Sequence, residues 1–97
     1  MKPIRIHPEA RAEAKVALLW YWEQSDSAAI GFSTELRRAY SAIHTDPQLY
    51  PAYLYGTQRL ILKRYPFSVI YREILDSIQV LAVAHAKRRP GYWKDRI

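Results

Sequence analysis

The stretch Arg59-Leu60-Ile61-Leu62-Lys63-Arg64-Tyr65-Pro66-Phe67-Ser68-Val69-Ile70-Tyr71-Arg72 decides how this chain folds. Leu, Ile, Val, Phe and Tyr crowd into two runs, and side chains in an extended strand alternate between faces with period two. Arg59 to Lys63 and Phe67 to Leu75 therefore read as strands, and Ile78 to His85 as a third. Asp76-Ser77 is read as a two-residue turn, so the three strands are expected to be antiparallel. Alternation puts Leu60, Leu62, Phe67, Val69 and Tyr71 on one face, against helices. Arg59, Ile61, Lys63, Ser68, Ile70 and Arg72 share the other. Two helices cover only one side, so that second face meets water, the C-terminal tail or a partner, and its mixture of branched aliphatic groups with cations favours a partner.

Upstream, the period changes. Ile4 and Ile6 alternate with Arg5 and His7, a short opening strand expected at an edge of the sheet. Pro8 suits the first turn of a helix, where its missing N–H has no partner to lose. Ala10, Ala14, Leu18 and Tyr21 recur at three- and four-residue spacing up to about Gln24, a helix with a small-residue face. Ser25-Asp26-Ser27 breaks the pattern and supplies an N-cap. Ala29, Phe32, Leu36, Ala39 and Ile43 form the stripe of a second helix ending at Asp46-Pro47. So short a break between helices implies a hairpin. The expected fold is α+β: an N-terminal strand and a helical hairpin on one face of a mainly antiparallel four-stranded sheet. Leu18, Phe32, Leu36, Ile43, Leu60, Leu62 and Val69 are its expected core. The 97 residues suffice for a single domain over 1–97.

The balance of 49% hydrophobic and 25% charged residues is that of a globular chain. Without cysteine there is no disulfide or thiolate metal site, and a cytoplasmic location is expected. No apolar run nears the ~20 residues that span a bilayer, so no membrane partner is expected. Fifteen Lys and Arg stand against nine Asp and Glu, and the whole excess falls after residue 58. A basic C-terminal part calls for a polyanion or an acidic protein as partner.

Standard catalytic constellations are absent. There is no glycine-rich phosphate loop or nucleophile elbow, and His7, His44 and His85 lack metal spacing, so no cofactor and no metal are expected. Glu9, Glu13, Glu23 and Glu35 read as solvated helix residues. One segment stands out: His85-Ala86-Lys87-Arg88-Arg89-Pro90-Gly91-Tyr92-Trp93-Lys94-Asp95-Arg96. Its cations suit phosphate or an acidic surface, and its aromatics suit stacking or a large contact. Equally, Tyr92 and Trp93 can pin the tail to the core.

Together, the run from Arg59 to Arg72, Val80-Leu81-Ala82-Val83-Ala84-His85 and Arg88-Arg89-Pro90-Gly91-Tyr92-Trp93 resemble the RelE/ParE superfamily of bacterial toxins. The opening strand with His7-Pro8-Glu9-Ala10 and the helix pair fit the same superfamily. The resemblance implies the toxin half of a type II toxin–antitoxin pair, often a plasmid stabilisation module, neutralised by a cognate antitoxin. RelE-like members are ribosome-dependent endoribonucleases that cut mRNA, and would here rest on Arg59, Lys63, Arg72, Lys87 and Tyr92. Their arginines on the middle strand and near the last strand fall on Ser68 and Ala86 in this sequence. ParE-like members are associated with DNA gyrase and perform no chemistry of their own. This sequence is closer to them. Target contacts are then expected from His85, Lys87, Arg88, Arg89, Tyr92 and Trp93, and antitoxin contacts from Arg59, Ile61, Lys63, Ile70 and Arg72.

Overall fold

The computed structural model describes residues 1–97. Strand β1 (Ile4–Ile6) leads into helices α1 (Pro8–Gln24) and α2 (Asp26–Thr45). A 3₁₀ turn (Leu54–Gly56) precedes β2 (Gln58–Ile61), β3 (Phe67–Glu73) and β4 (Ile78–His85), and a second 3₁₀ turn (Lys94–Arg96) ends the chain. The sheet runs β1-β4-β3-β2. Its β2–β3 and β3–β4 pairs are antiparallel, and β1 pairs in parallel with β4 at the far edge. This is the α+β arrangement expected from the pattern.

Local chemistry explains the helix boundaries. His7 caps α1, its Nδ1 accepting from the Glu9 N–H at 3.1 Å, with Pro8 in the first turn. Ser25 closes α1 and opens α2: its N–H donates to Tyr21 O and its Oγ accepts from the Ala28 N–H at 2.9 Å. One residue thus makes the hairpin corner. Ala10 and Ala17 are buried on α1, where small side chains let it lie close to α2 and β4. Phe32, Leu36, Ala39 and Ile43 complete the helical side of a core whose other wall is Leu62, Val69, Tyr71, Ile78, Val80 and Val83.

Four expectations need correction. Leu18 and Leu60 lie half-buried at the margin of the core rather than within it. β3 ends at Glu73, and a longer link, Ile74–Ser77, replaces the Asp76-Ser77 turn, with the Ile74 N–H donating to Ser77 O at 2.9 Å. The register slips so that Ile70 pairs with Ala82 and Tyr71 with Val80, leaving Leu81 as the extra residue of a bulge. Alternation therefore breaks in β4, and Leu81 and Ala82 both serve the face away from the helices. Most consequential, that face is not open at Ile70. Ile70 is 1% exposed, packed with Leu81, Ala82 and Trp93 in a second apolar cluster that the C-terminal tail creates.

Candidate functional site

The tail must turn sharply to reach that cluster. Gly91 makes the turn at φ 79°, where a Cβ would also stand 2.8 Å from the Tyr55 ring. Trp93 then enters between Tyr53 and Tyr55, with ring centroids 6.1 and 6.0 Å away. At 1% exposure Trp93 is a core residue, which corrects its reading as a target contact.

Tyr92, beside it, is half-buried and committed. Its hydroxyl donates to Glu13 Oε2 at 2.6 Å. Glu13 also accepts from Arg96 Nη1 and Nη2, at 2.9 and 3.0 Å, and from the Val83 N–H at 3.0 Å. This carboxylate, expected to be solvated, instead joins α1, β4 and the tail. A bidentate guanidinium–carboxylate pair of this kind is short and directional. Burial raises the Tyr92 pKa, as do the hydrogen bond and charge of Glu13, and Arg88 and Arg96 only partly oppose them. For Arg96 burial opposes the charge, but the hydrogen bond and charge of Glu13 prevail and its pKa is raised. The phenol is held protonated, the reverse of what a general base requires.

The remaining candidates divide between two surfaces. Arg59, His85, Arg88, Arg89 and Tyr92 line a small cavity of about 130 Å³ beside Ser68. Arg88 stacks on the Tyr92 ring at 3.8 Å and Arg59 on Tyr53 at 3.9 Å. His85 meets Phe67 edge-on at 5.0 Å, and its Nδ1 accepts from the Lys87 N–H at 3.0 Å. Lys87 itself is exposed and outside the cavity. Of the five residues a ribonuclease would use, only Arg59 and Tyr92 meet here. Arg72 is turned to Gln79, Nε to Oε1 at 2.8 Å, and Lys63 belongs to the second surface.

That second surface is a groove of about 830 Å³ between α2 and β2. Ala39, Ala42, Leu60 and Leu62 contribute apolar wall, and Arg38, Arg59, Lys63 and Arg64 bring positive charge. Ile61, 60% exposed, stands on the edge strand β2. Glu35, also expected to be solvated, ties the β2–β3 link to α2: its Oε2 accepts from the N–H groups of Lys63 and Arg64. Arg59, Ile61 and Lys63 line this groove, whereas Ile70 and Arg72 do not. Sequence reasoning missed Arg38, which reaches the groove from α2 and left no signal in the strand pattern.

A helical hairpin on a mixed four-stranded sheet, with a basic apolar groove at one sheet edge, is the build of a small type II toxin. The chain belongs to the ParE toxin family: the family model described as ParE toxin of type II toxin-antitoxin system, parDE, matches residues 4–90. Its fold is also that of a chain in the solved structure described as "Chromosomal ParDE TA system from P. aeruginosa". The two share a TM-score of 0.78 and 18% identity over 90% of this chain and 98% of that one. No curated protein sequence matches the chain. The toxin of a ParDE system has a cognate antitoxin as its partner.

Proposed function

We propose that this toxin arrests growth by binding DNA gyrase through the cationic tail surface, without catalysis of its own, and that its antitoxin silences it from the α2–β2 groove. The observation that carries the reading is the Tyr92–Glu13 hydrogen bond at 2.6 Å. It occupies the hydroxyl that the ribonuclease reading would use to move a proton. Ser68 and Ala86 fall where the resemblance places two arginines of the RNA-cleaving members, so Arg72, Lys87 or Arg88 would have to substitute as stabilisers of a cleaved phosphate. What supports the gyrase reading is Arg88 and Arg89, exposed on a tail bonded to Glu13 and suited to an acidic protein surface.

The groove fits an antitoxin segment that is acidic on one side and apolar on the other. Such a segment, disordered when free, would order as it docks against the apolar wall and the edge strand. Purified gyrase supercoiling and translation-coupled mRNA cleavage, assayed side by side with the free chain, test the reading. Inhibition of supercoiling with intact mRNA is expected. Ribosome-dependent cleavage without an effect on gyrase would overturn it.

A further inference from the structure

We propose that the outward face of α1 is the contact between two copies of this chain, packed antiparallel about a two-fold axis through Leu19.

Helix α1 carries apolar side chains on two opposite sides, yet the fold covers only one. Ala10, Ala14, Ala17 and Tyr21 face the core. On the opposite side, at helical spacing, Val16 is 68% exposed and Leu19 51%, flanked by Trp20 at 55% and Trp22 at 44%. A helix with apolar groups on both sides belongs between two partners, and two exposed indoles, one on either flank of Leu19, carry large contact area at little entropic cost.

The charges on this face say which partner. Arg11, Lys15, Glu23 and Asp26 are exposed, and none of them has an ion-pair partner within the chain. Arg11 and Lys15, like charges one helical turn apart, work against the helix. Glu23 sits in the last turn of α1, where the helix dipole disfavours an anion. Both defects vanish against a second copy. Lys15 and Glu23 lie equally far on either side of Leu19, so antiparallel packing sets each Lys15 against the other chain's Glu23. The same register sets Val16 against Trp22, Leu19 against Leu19, and Arg11 beside the Asp26–Ser27 corner. A two-fold contact must be self-complementary in this way. The α2–β2 groove and the tail surface share no residue with this face, so the dimer leaves both free.

Light scattering and sedimentation of the purified chain test the proposal. At about 100 μM, enough to populate a dimer with a Kd near 10 μM, a particle of twice 11.4 kDa is expected. Trp20 and Trp22 emission should shift to the blue as concentration rises, with buried Trp93 as a constant background. Leu19→Asp should be monomeric at the same concentration, with the melting temperature the wild-type chain shows when diluted below its Kd. Lys15→Glu and Glu23→Lys should each weaken the dimer about tenfold or more, and mixing the two should restore it, because both contacts then pair opposite charges. A monomeric wild-type chain would overturn the proposal. So would a dimer indifferent to Leu19→Asp and to the charge swaps, which would lie elsewhere. Blue-shifted emission produced in a monomer only by added antitoxin or gyrase would assign the face to that protein instead.

Discussion

The Tyr92 hydroxyl donates to Glu13 Oε2 at 2.6 Å across 79 residues of sequence. It seals the C-terminal tail onto the first helix. Arg96 grips the same carboxylate through two nitrogens, so one acidic side chain holds the tail at two points. Beneath it, Trp93 shields Ile70 and Leu81 from water. Tail, far sheet face and α1 form one unit.

Glu13→Ala should therefore be costly although Glu13 lies only half-buried on a helix. It strands the Arg96 guanidinium, 14% exposed, along with the Tyr92 hydroxyl. A loss of about 3 kcal/mol is expected in chemical denaturation. A double-mutant cycle with Arg96→Ala should show strong coupling, and strict additivity would contradict the clamp.

Trp93→Ala and Tyr92→Phe separate packing from chemistry. The first removes an indole from the far-face cluster and should cost about 3–5 kcal/mol, with loss of the buried tryptophan signal. The second removes a single hydrogen bond to a carboxylate, about 2 kcal/mol, and should leave toxicity intact in an induced-growth assay. A stable, non-toxic Tyr92→Phe protein would transfer the function to the ribonuclease reading.

Reversing Arg88 and Arg89 to Glu should do the opposite. Both are exposed, and the main loss is the stacking of Arg88 on Tyr92, so stability should fall by only about 1 kcal/mol. Gyrase inhibition should nevertheless fall steeply, because the surface would then repel an acidic partner. Unchanged supercoiling inhibition would remove the tail from the target contact.

Antitoxin binding should respond to a different set. Ile61→Asp places a charge on the edge strand beside the groove, and should abolish neutralisation while toxicity persists. Association with the wild-type groove should slow as salt rises, since Arg38, Arg59, Lys63 and Arg64 steer the encounter. Stopped-flow rates at low and high salt read this directly.

Alkaline pH should unfold the protein early. Burial pushes the Tyr40 and Tyr71 phenols up from 10.0 to about 12, and raises Tyr21 and Tyr92 as well. The folded state then keeps protons that the unfolded chain releases above 10.0, so stability is full below that pH and falls as pH climbs toward 12. Urea midpoints should be level up to about pH 10 and drop beyond it. Tyr71→Phe, which also loses the bond to Pro47 O, should flatten that drop.

How much of this was legible beforehand follows from the range of the forces involved. His7-Pro8 and Ser25 announced the helix starts because capping is chemistry between residues two or three apart. Phe32, Leu36 and Ile43, and Val69 with Tyr71, betrayed their faces through the helix and strand periods. Element order, the edge position of β1 and the RelE/ParE resemblance all rest on such local patterns, whereas the parallel pairing of β1 with β4 does not. The fate of the far sheet face was not local. Ile70 has the alternation of an exposed residue and is covered only because Gly91 turns the tail and Trp93 lands on it. Glu13 looks like any solvated helix glutamate until β4 and the tail bring it the Val83 N–H, Tyr92 and Arg96. The Leu81 bulge, which shifts two neighbouring residues to one face, has no period to reveal it. Sequence by itself determined the elements and their buried stripes, since those depend on neighbours within a turn or two. Only the tertiary structure decided which surfaces stayed open, because that depends on where a distant segment comes to rest.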